Sequence, residues 1–179
     1  MGDNKNELLA SGKSGNTALQ NQIHDWQNAS NARQLITFHI GEQFFGVDIM
    51  AIREIRAWSP ATNLPNVPNY VRGVVNLRGV VLPVFDLRQR LGWGMTEPTA
   101  RHVIIVVNIG DQLQGLIVDA VNDIVTARNE NMQPVPDVGE SSAARFLEGL
   151  VTIDDRMIMV LALDRLRENN LHLQEQPPE

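Results

Sequence analysis

The chain has 179 residues, 43% apolar and 20% charged, which is enough to bury a core and too apolar for a disordered chain. Its formal net charge of −6 opposes the basic footprint that coats nucleic-acid phosphates, and the lack of cysteine excludes disulfides, thiol nucleophiles and cysteine-ligated zinc. No apolar run reaches the roughly 18 residues of a membrane helix, and Met1-Gly2-Asp3-Asn4-Lys5 lacks a signal-peptide apolar stretch, so a cytoplasmic protein without direct membrane insertion is expected.

Residues 1–32 are rich in Asn, Gly, Ser and Gln, a composition that offers little apolar surface against the entropy of ordering. They are expected to form a flexible tail. Within it Leu19, Ile23 and Trp26 fall on one helical face, either as a transient helix or as a segment that docks. From residue 33 the pattern changes to Val- and Ile-rich runs at 35–40, 71–77, 80–85, 103–109, 116–121 and 157–163, most bounded by Gly, Asn, Asp or Pro. Asn76-Leu77-Arg78-Gly79 reads as a hairpin turn, with Gly79 free to take positive φ, and Asp154-Asp155 plays the same part later. Helix is expected only as short turns, one capped by Asp86 and stopped by Gly92, one capped by Asp164. Residues 169–179, with Pro177-Pro178, form a second tail.

An internal repeat organises the body. Residues 40–55, I-G-E-Q-F-F-G-V-D-I-M-A-I-R-E-I, align at an offset of 69 with 109–124, I-G-D-Q-L-Q-G-L-I-V-D-A-V-N-D-I. Six of the sixteen positions are identical, and Pro65 and Pro134 keep the offset. After a longer connection in the second copy, the stretch from Gly73 aligns with the stretch from Gly149. Two copies, about 33–95 and 101–168, follow, each holding a Gly-turned hairpin, a proline-containing connection, a second hairpin and a capped turn. A unit of about 65 residues buries little alone, so the copies should pack into one body with a groove where a partner docks. The fold class is all-β, as small barrels or a sandwich.

Catalytic constellations are lacking. His24, His39, His102 and His172 keep no metal-ligand spacing, Ser141-Ser142 is no nucleophile elbow, and neither a GxGxxG nor a GxxxxGK[ST] phosphate loop occurs. No cofactor or metal is expected, and no enzymatic activity. What remains is contact chemistry. Arg78 tips an apolar hairpin, either as a solvated side chain or presenting its guanidinium to a partner or to a carboxylate across the groove. Ile52 and Glu54 lie just after the first repeat glycine turn, and core packing is the alternative for Ile52.

The run from Gly73 through Asn76-Leu77-Arg78-Gly79 to Leu87 resembles the N-L-R-G signature of the CheW family of bacterial chemotaxis coupling proteins. So do F-G-V-D-I at 45–49, Glu54-Ile55-Arg56, and G-x-x-V-D-x-V from Gly115 with Asp123 behind it. The resemblance spans roughly 33–168 and implies two tandem SH3-like β-barrel subdomains and no catalysis. It implies an adaptor between the cytoplasmic tips of membrane chemoreceptors and the regulatory domain of the chemotaxis histidine kinase CheA. A CheW-like module of another kinase pathway, in motility or second-messenger signalling, is the alternative. Position by position it implies a receptor-facing groove at Ile52, Glu54, Gly73, Arg78 and Val81, and kinase contact around Gln133, Asp137 and Val138. Gln133 and Val138 depart from the arginine and phenylalanine expected there.

Deleting residues 1–30 is expected to leave the thermal unfolding midpoint nearly unaltered in a calorimetric scan; a loss of many degrees would mean that this segment packs on the body.

Overall fold

The fold was analysed in a computed structural model that describes residue 20 and residues 31–139 and 141–167. The helical face of Leu19, Ile23 and Trp26 and the segment 169–179 lie outside the described residues. In chain order the elements are β1 (Ala32–Ile40), β2 (Gln43–Asp48), β3 (Ile52–Ala57), β4 (Val71–Leu77), β5 (Val80–Asp86), α1 (Leu87–Arg90), β6 (Val103–Ile109), β7 (Gln112–Val118), β8 (Ala120–Arg128), β9 (Leu147–Ile153), β10 (Arg156–Leu161) and α2 (Leu163–Arg167).

Asp86 caps α1, its carboxylate accepting the Gln89 N–H. The same buried carboxylate accepts the Thr96 N–H and hydroxyl, both at 2.7 Å, which fastens the connection between the copies. Asp164 is not a cap: α2 begins at Leu163, so the acid sits inside the first turn, where its charge still favours the helix N-terminus. The run 116–121 is not one strand either. It breaks at Asp119, whose carboxylate accepts the Gly41 N–H at 2.7 Å while its own N–H donates to His39 O at 3.1 Å.

Ten strands form two five-stranded sheets, ordered β8-β1-β2-β10-β9 and β3-β6-β7-β5-β4. These are the two subdomains, but they do not follow the two copies of the repeat. Each copy donates its first hairpin to the sheet that holds the other copy's remaining strands. The exchange is sealed by four pairings, two parallel, β2 with β10 and β5 with β7, and two antiparallel, β1 with β8 and β3 with β6. Side chains that fill the barrels explain two repeat glycines on the exchanged hairpins. A Cβ on Gly46 would meet Ile158 Cγ2 at 3.0 Å, and one on Gly115 would meet Ile104 Cγ2 at 2.8 Å.

Alternation along the strands divides the apolar side chains among three cores. Leu82, Val84, Ile104 and Val106 fill one barrel, and Leu35, Val125, Ile158 and Val160 fill the other. The largest core, with Phe38, Phe45, Phe85, Ile105, Leu116 and Phe146, lies on the opposite faces of several of the same strands and joins the two sheets. Arg90 is buried beside it, with its guanidinium 4.3 Å from the Tyr70 ring centroid and 4.5 Å from that of Phe146. Burial pulls its pKa below the ordinary arginine value, and its Nη2 donates to Leu166 O at 3.0 Å.

Gly73 and Gly149 hold equivalent places. The connection before β4 touches it through a two-bond bridge between Thr62 and Val74, at 2.8 and 2.9 Å. The connection before β9 does the same through Gln133 and Leu150, both bonds at 2.8 Å. A Cβ on Gly73 would lie 2.1 Å from Thr62 O, and the residue has φ +129°. Gly73→Ala is therefore expected to destabilise by about 2–4 kcal/mol in urea unfolding. A change within about 0.5 kcal/mol would mean that the connection is not pinned to β4.

Candidate functional site

Of the five residues that the family resemblance assigns to a receptor-facing groove, four sit on strands and one on a turn. Ile52 and Glu54 lie on β3 and Gly73 on β4, the two edges of one sheet, while Arg78 and Val81 lie at the turn and start of the β4–β5 hairpin. The structure joins the edges through Arg78 Nη2 and Glu54 Oε2, 3.2 Å apart. Of the alternatives open for Arg78, the carboxylate across the groove is the one it meets. It does so with 82% of its side chain still exposed, against 23% for Glu54. Ile52 is half-buried, packed against the central core.

The turn that carries Arg78 is a two-residue connection with both residues at positive φ, Arg78 at 50° and Gly79 at 86°. Asn76 Oδ1 accepts the Gly79 N–H at 2.8 Å and holds it. A branched or bulky residue at φ 50° is strained by about 1–3 kcal/mol, so the hairpin register fixes where the guanidinium is presented. Beside it Val80 and Val81 are 52% and 66% exposed. Met50, in the 3₁₀ turn between β2 and β3, is 88% exposed and was not singled out by sequence; only its apolar type within a capped turn could have marked it.

The second group is spread along one connection. Gln133 is bound by its backbone to the edge of β9, and Asp137 and Val138 are exposed farther along, Val138 by 77%. The structure brings no ion pair or side-chain hydrogen bond among these three.

The repeat reproduces the first arrangement on the other sheet. Glu54 aligns with Asp123, which pairs with Arg156 at 2.8 Å. Here the acid is held more firmly. The Thr37 hydroxyl donates to Asp123 Oδ1, whereas the position equivalent to Thr37 in the other copy is the buried Val106. Arg156 also lies over the Phe44 ring, 5.3 Å from its centroid. The Thr37 hydrogen bond, and then Arg156, hold the Asp123 carboxyl below the usual carboxylate range.

A polar cleft of about 540 Å³ between the sheets is lined by His39, Arg88, Thr99, Arg101, His102 and Asp119 among others. His102 Nδ1 accepts the Thr99 N–H at 2.9 Å, so its Nε2 carries the proton and faces Asp119 Oδ1 at 3.5 Å. These contacts anchor the β7–β8 corner. Among the described residues no cluster of His, Asp or Glu could hold a metal ion, and no helix is long and apolar enough to cross a membrane.

Comparison with known proteins adds a family. The family model described as the CheW-like domain matches residues 34–170. The chain is 49% identical over 135 residues to the chemotaxis protein CheW of Rhizobium meliloti (strain 1021), covering 75% of this chain and 87% of that protein. It is 50% identical over 134 residues to the probable chemotaxis protein CheW of Rhizobium etli, covering 75% and 86%. Among solved structures, the scaffolding protein TtCheW from Thermoanaerobacter tengcongensis superposes with a TM-score of 0.70 at 35% identity, covering 77% of this chain and 89% of that one.

The depressed Asp123 carboxyl has a pH consequence. Its folded pKa lies below the unfolded value, so its contribution to stability is present above the unfolded pKa and is lost as pH falls through the folded pKa. Thr37→Val is expected to raise the Asp123 midpoint in a carboxyl-detected NMR titration and to flatten the acid limb of the stability profile. An unmoved midpoint would show that the hydroxyl does not hold the carboxylate.

Proposed function

The chain belongs to the CheW family of non-catalytic chemotaxis scaffold proteins, and from that premise we propose that it couples the cytoplasmic tips of chemoreceptors to the histidine kinase CheA. Its place is then the cytoplasm, held at the membrane by the receptors. The observation that carries the reading is the Glu54–Arg78 pair. It spans two sheet edges with its arginine almost wholly exposed, beside exposed Val81.

An α-helical receptor tip suits this face by the helix-in-groove mode. Val81 and the partly exposed Ile52 offer apolar contact, and Gly73 keeps the β4 edge close to the preceding connection. Arg78 has donors beyond the one engaged with Glu54, so it can orient a carboxylate or backbone carbonyl on the helix without giving up its partner. The kinase is assigned to Gln133, Asp137 and Val138, on the connection bridged to β9. The two assigned faces thus lie beside equivalent bridges, one in each sheet.

A scaffold of this kind transmits by differential contact. Binding at one face changes affinity at the other only if the partners' states touch the body differently. Three cores and exchanged hairpins make the body stiff enough to hold the two faces at a fixed separation.

Exposed ion pairs contribute about 0–1 kcal/mol to folding, so Arg78→Glu is expected to fold with a nearly unchanged midpoint. It should reduce co-sedimentation with receptor-containing membranes and kinase by at least about tenfold, or about 1.4 kcal/mol of binding. Adding Glu54→Arg should restore part of the binding. Unchanged co-sedimentation of the single variant would leave Arg78 an ordinary turn residue.

A further inference from the structure

The receptor-facing residues have counterparts under the repeat. At the offset of 69, Ile52 and Glu54 become Val121 and Asp123; in the hairpins aligned from Gly73 and Gly149, Arg78 and Val81 become Asp154 and Met157. The structure makes these counterparts physical. Ile52 and Val121 both pack, partly buried, against the central core. Both strand pairings slip register at this level, between Ile52 and Glu54 in β3–β6 and between Ile36 and Phe38 in β1–β8. In each copy the acid after the slip reaches an arginine of the facing hairpin, Glu54 to Arg78 and Asp123 to Arg156. In each an apolar side chain stands out from the hairpin, Val81 at 66% exposure and Met157 at 58%.

The tips differ in sign. Where the first hairpin turns through Arg78 and Gly79, the second turns through Asp154 and Asp155, both exposed and in no ion pair with a described residue. The second hairpin's own arginine, Arg156, is drawn inward by Asp123 and the Phe44 ring and does not project at the tip. The same frame therefore presents an apolar knob beside net negative charge.

We propose that Val121, Asp154, Asp155 and Met157 form a second docking face, which takes an amphipathic helix carrying lysine or arginine beside its apolar stripe. The choice of a helix rests on the reading of the first face as a helix-binding one; the choice of basic flanks rests on the reversed charge of the tip. A basic side chain pairs with Asp154 or Asp155 while an apolar side chain covers Met157. Charge attraction at an exposed tip is screened by salt, so binding weakens as ionic strength rises.

The test uses the full chain and two fluorescein-labelled 18-residue helical peptides with the same leucine stripe, one flanked by lysines and one by glutamates. The lysine peptide is expected to bind in fluorescence anisotropy and to lose at least about tenfold in affinity with Asp154→Asn/Asp155→Asn and with Met157→Asp. Asparagine keeps the left-handed turn that both aspartates adopt, so the first variant removes charge and preserves the hairpin. Amide shift changes should fall on 121–123 and 152–157. Binding indifferent to these variants, equal binding of the glutamate peptide, or shifts centred on 78–81 would overturn the proposal. So would an effect seen only as altered self-association in sedimentation. Arg78→Glu should leave lysine-peptide binding intact while weakening receptor co-sedimentation, so failure of either face is read separately.

Discussion

The structure depends on the parallel pairing of β2 with β10 and of β5 with β7. Through these seams, and the antiparallel pairings of β1 with β8 and β3 with β6 on the hairpins' other sides, each repeat copy completes its sheet with a hairpin from the other, so neither copy has a full barrel of its own. A 65-residue β unit alone would bury only about 60% of the surface its unfolded chain exposes and would be marginally stable. Exchange of hairpins offsets this by making two barrels and one shared core from the whole body. The glycines at 46 and 115 lie on the exchanged hairpins, where the core side chains Ile158 and Ile104 leave no room for a Cβ.

The proposed coupling rests on this construction. The hairpin tips and the bridged connections project from strands whose other residues are locked into the cores. Residues at the hairpin tips can then be exposed, charged or strained, as Arg78 is, without loosening the body. The duplicated frame also lets the two copies diverge. Thr37 fixes the acid of one copy, while Val106 leaves Glu54 of the other held by Arg78 alone.

Much of this was legible in the sequence because the repeat is strong and the turns are chemically explicit. Asp86 reads as a cap, and Arg78-Gly79 and Asp154-Asp155 read as turns, since local backbone chemistry decides them. The β3 strand is not among the apolar runs because Arg53, Glu54 and Arg56 interrupt its apolar residues. The break at Asp119 was hidden inside a continuous apolar run and is set by a distant acceptor need, the Gly41 N–H. Strand exchange was illegible for a deeper reason. A repeat fixes what each copy can form, but which copy supplies the neighbouring strand is decided by long-range pairing that leaves no local pattern. The same holds for Glu54 meeting Arg78, since the motif gives the residues and only the folded sheet gives the contact.

Native-state amide hydrogen exchange of β5 and β10 shows whether the exchanged strands make one rigid body carrying separate faces. The amides of Val84 and Val160, one on each parallel seam, are expected to open with the same free energy and to respond equally to denaturant, as members of one cooperative unit. If the β9–β10 hairpin opened at a markedly lower free energy while β4–β5 stayed protected, the two sheets would be independent units, and a rigid coupling body would be contradicted.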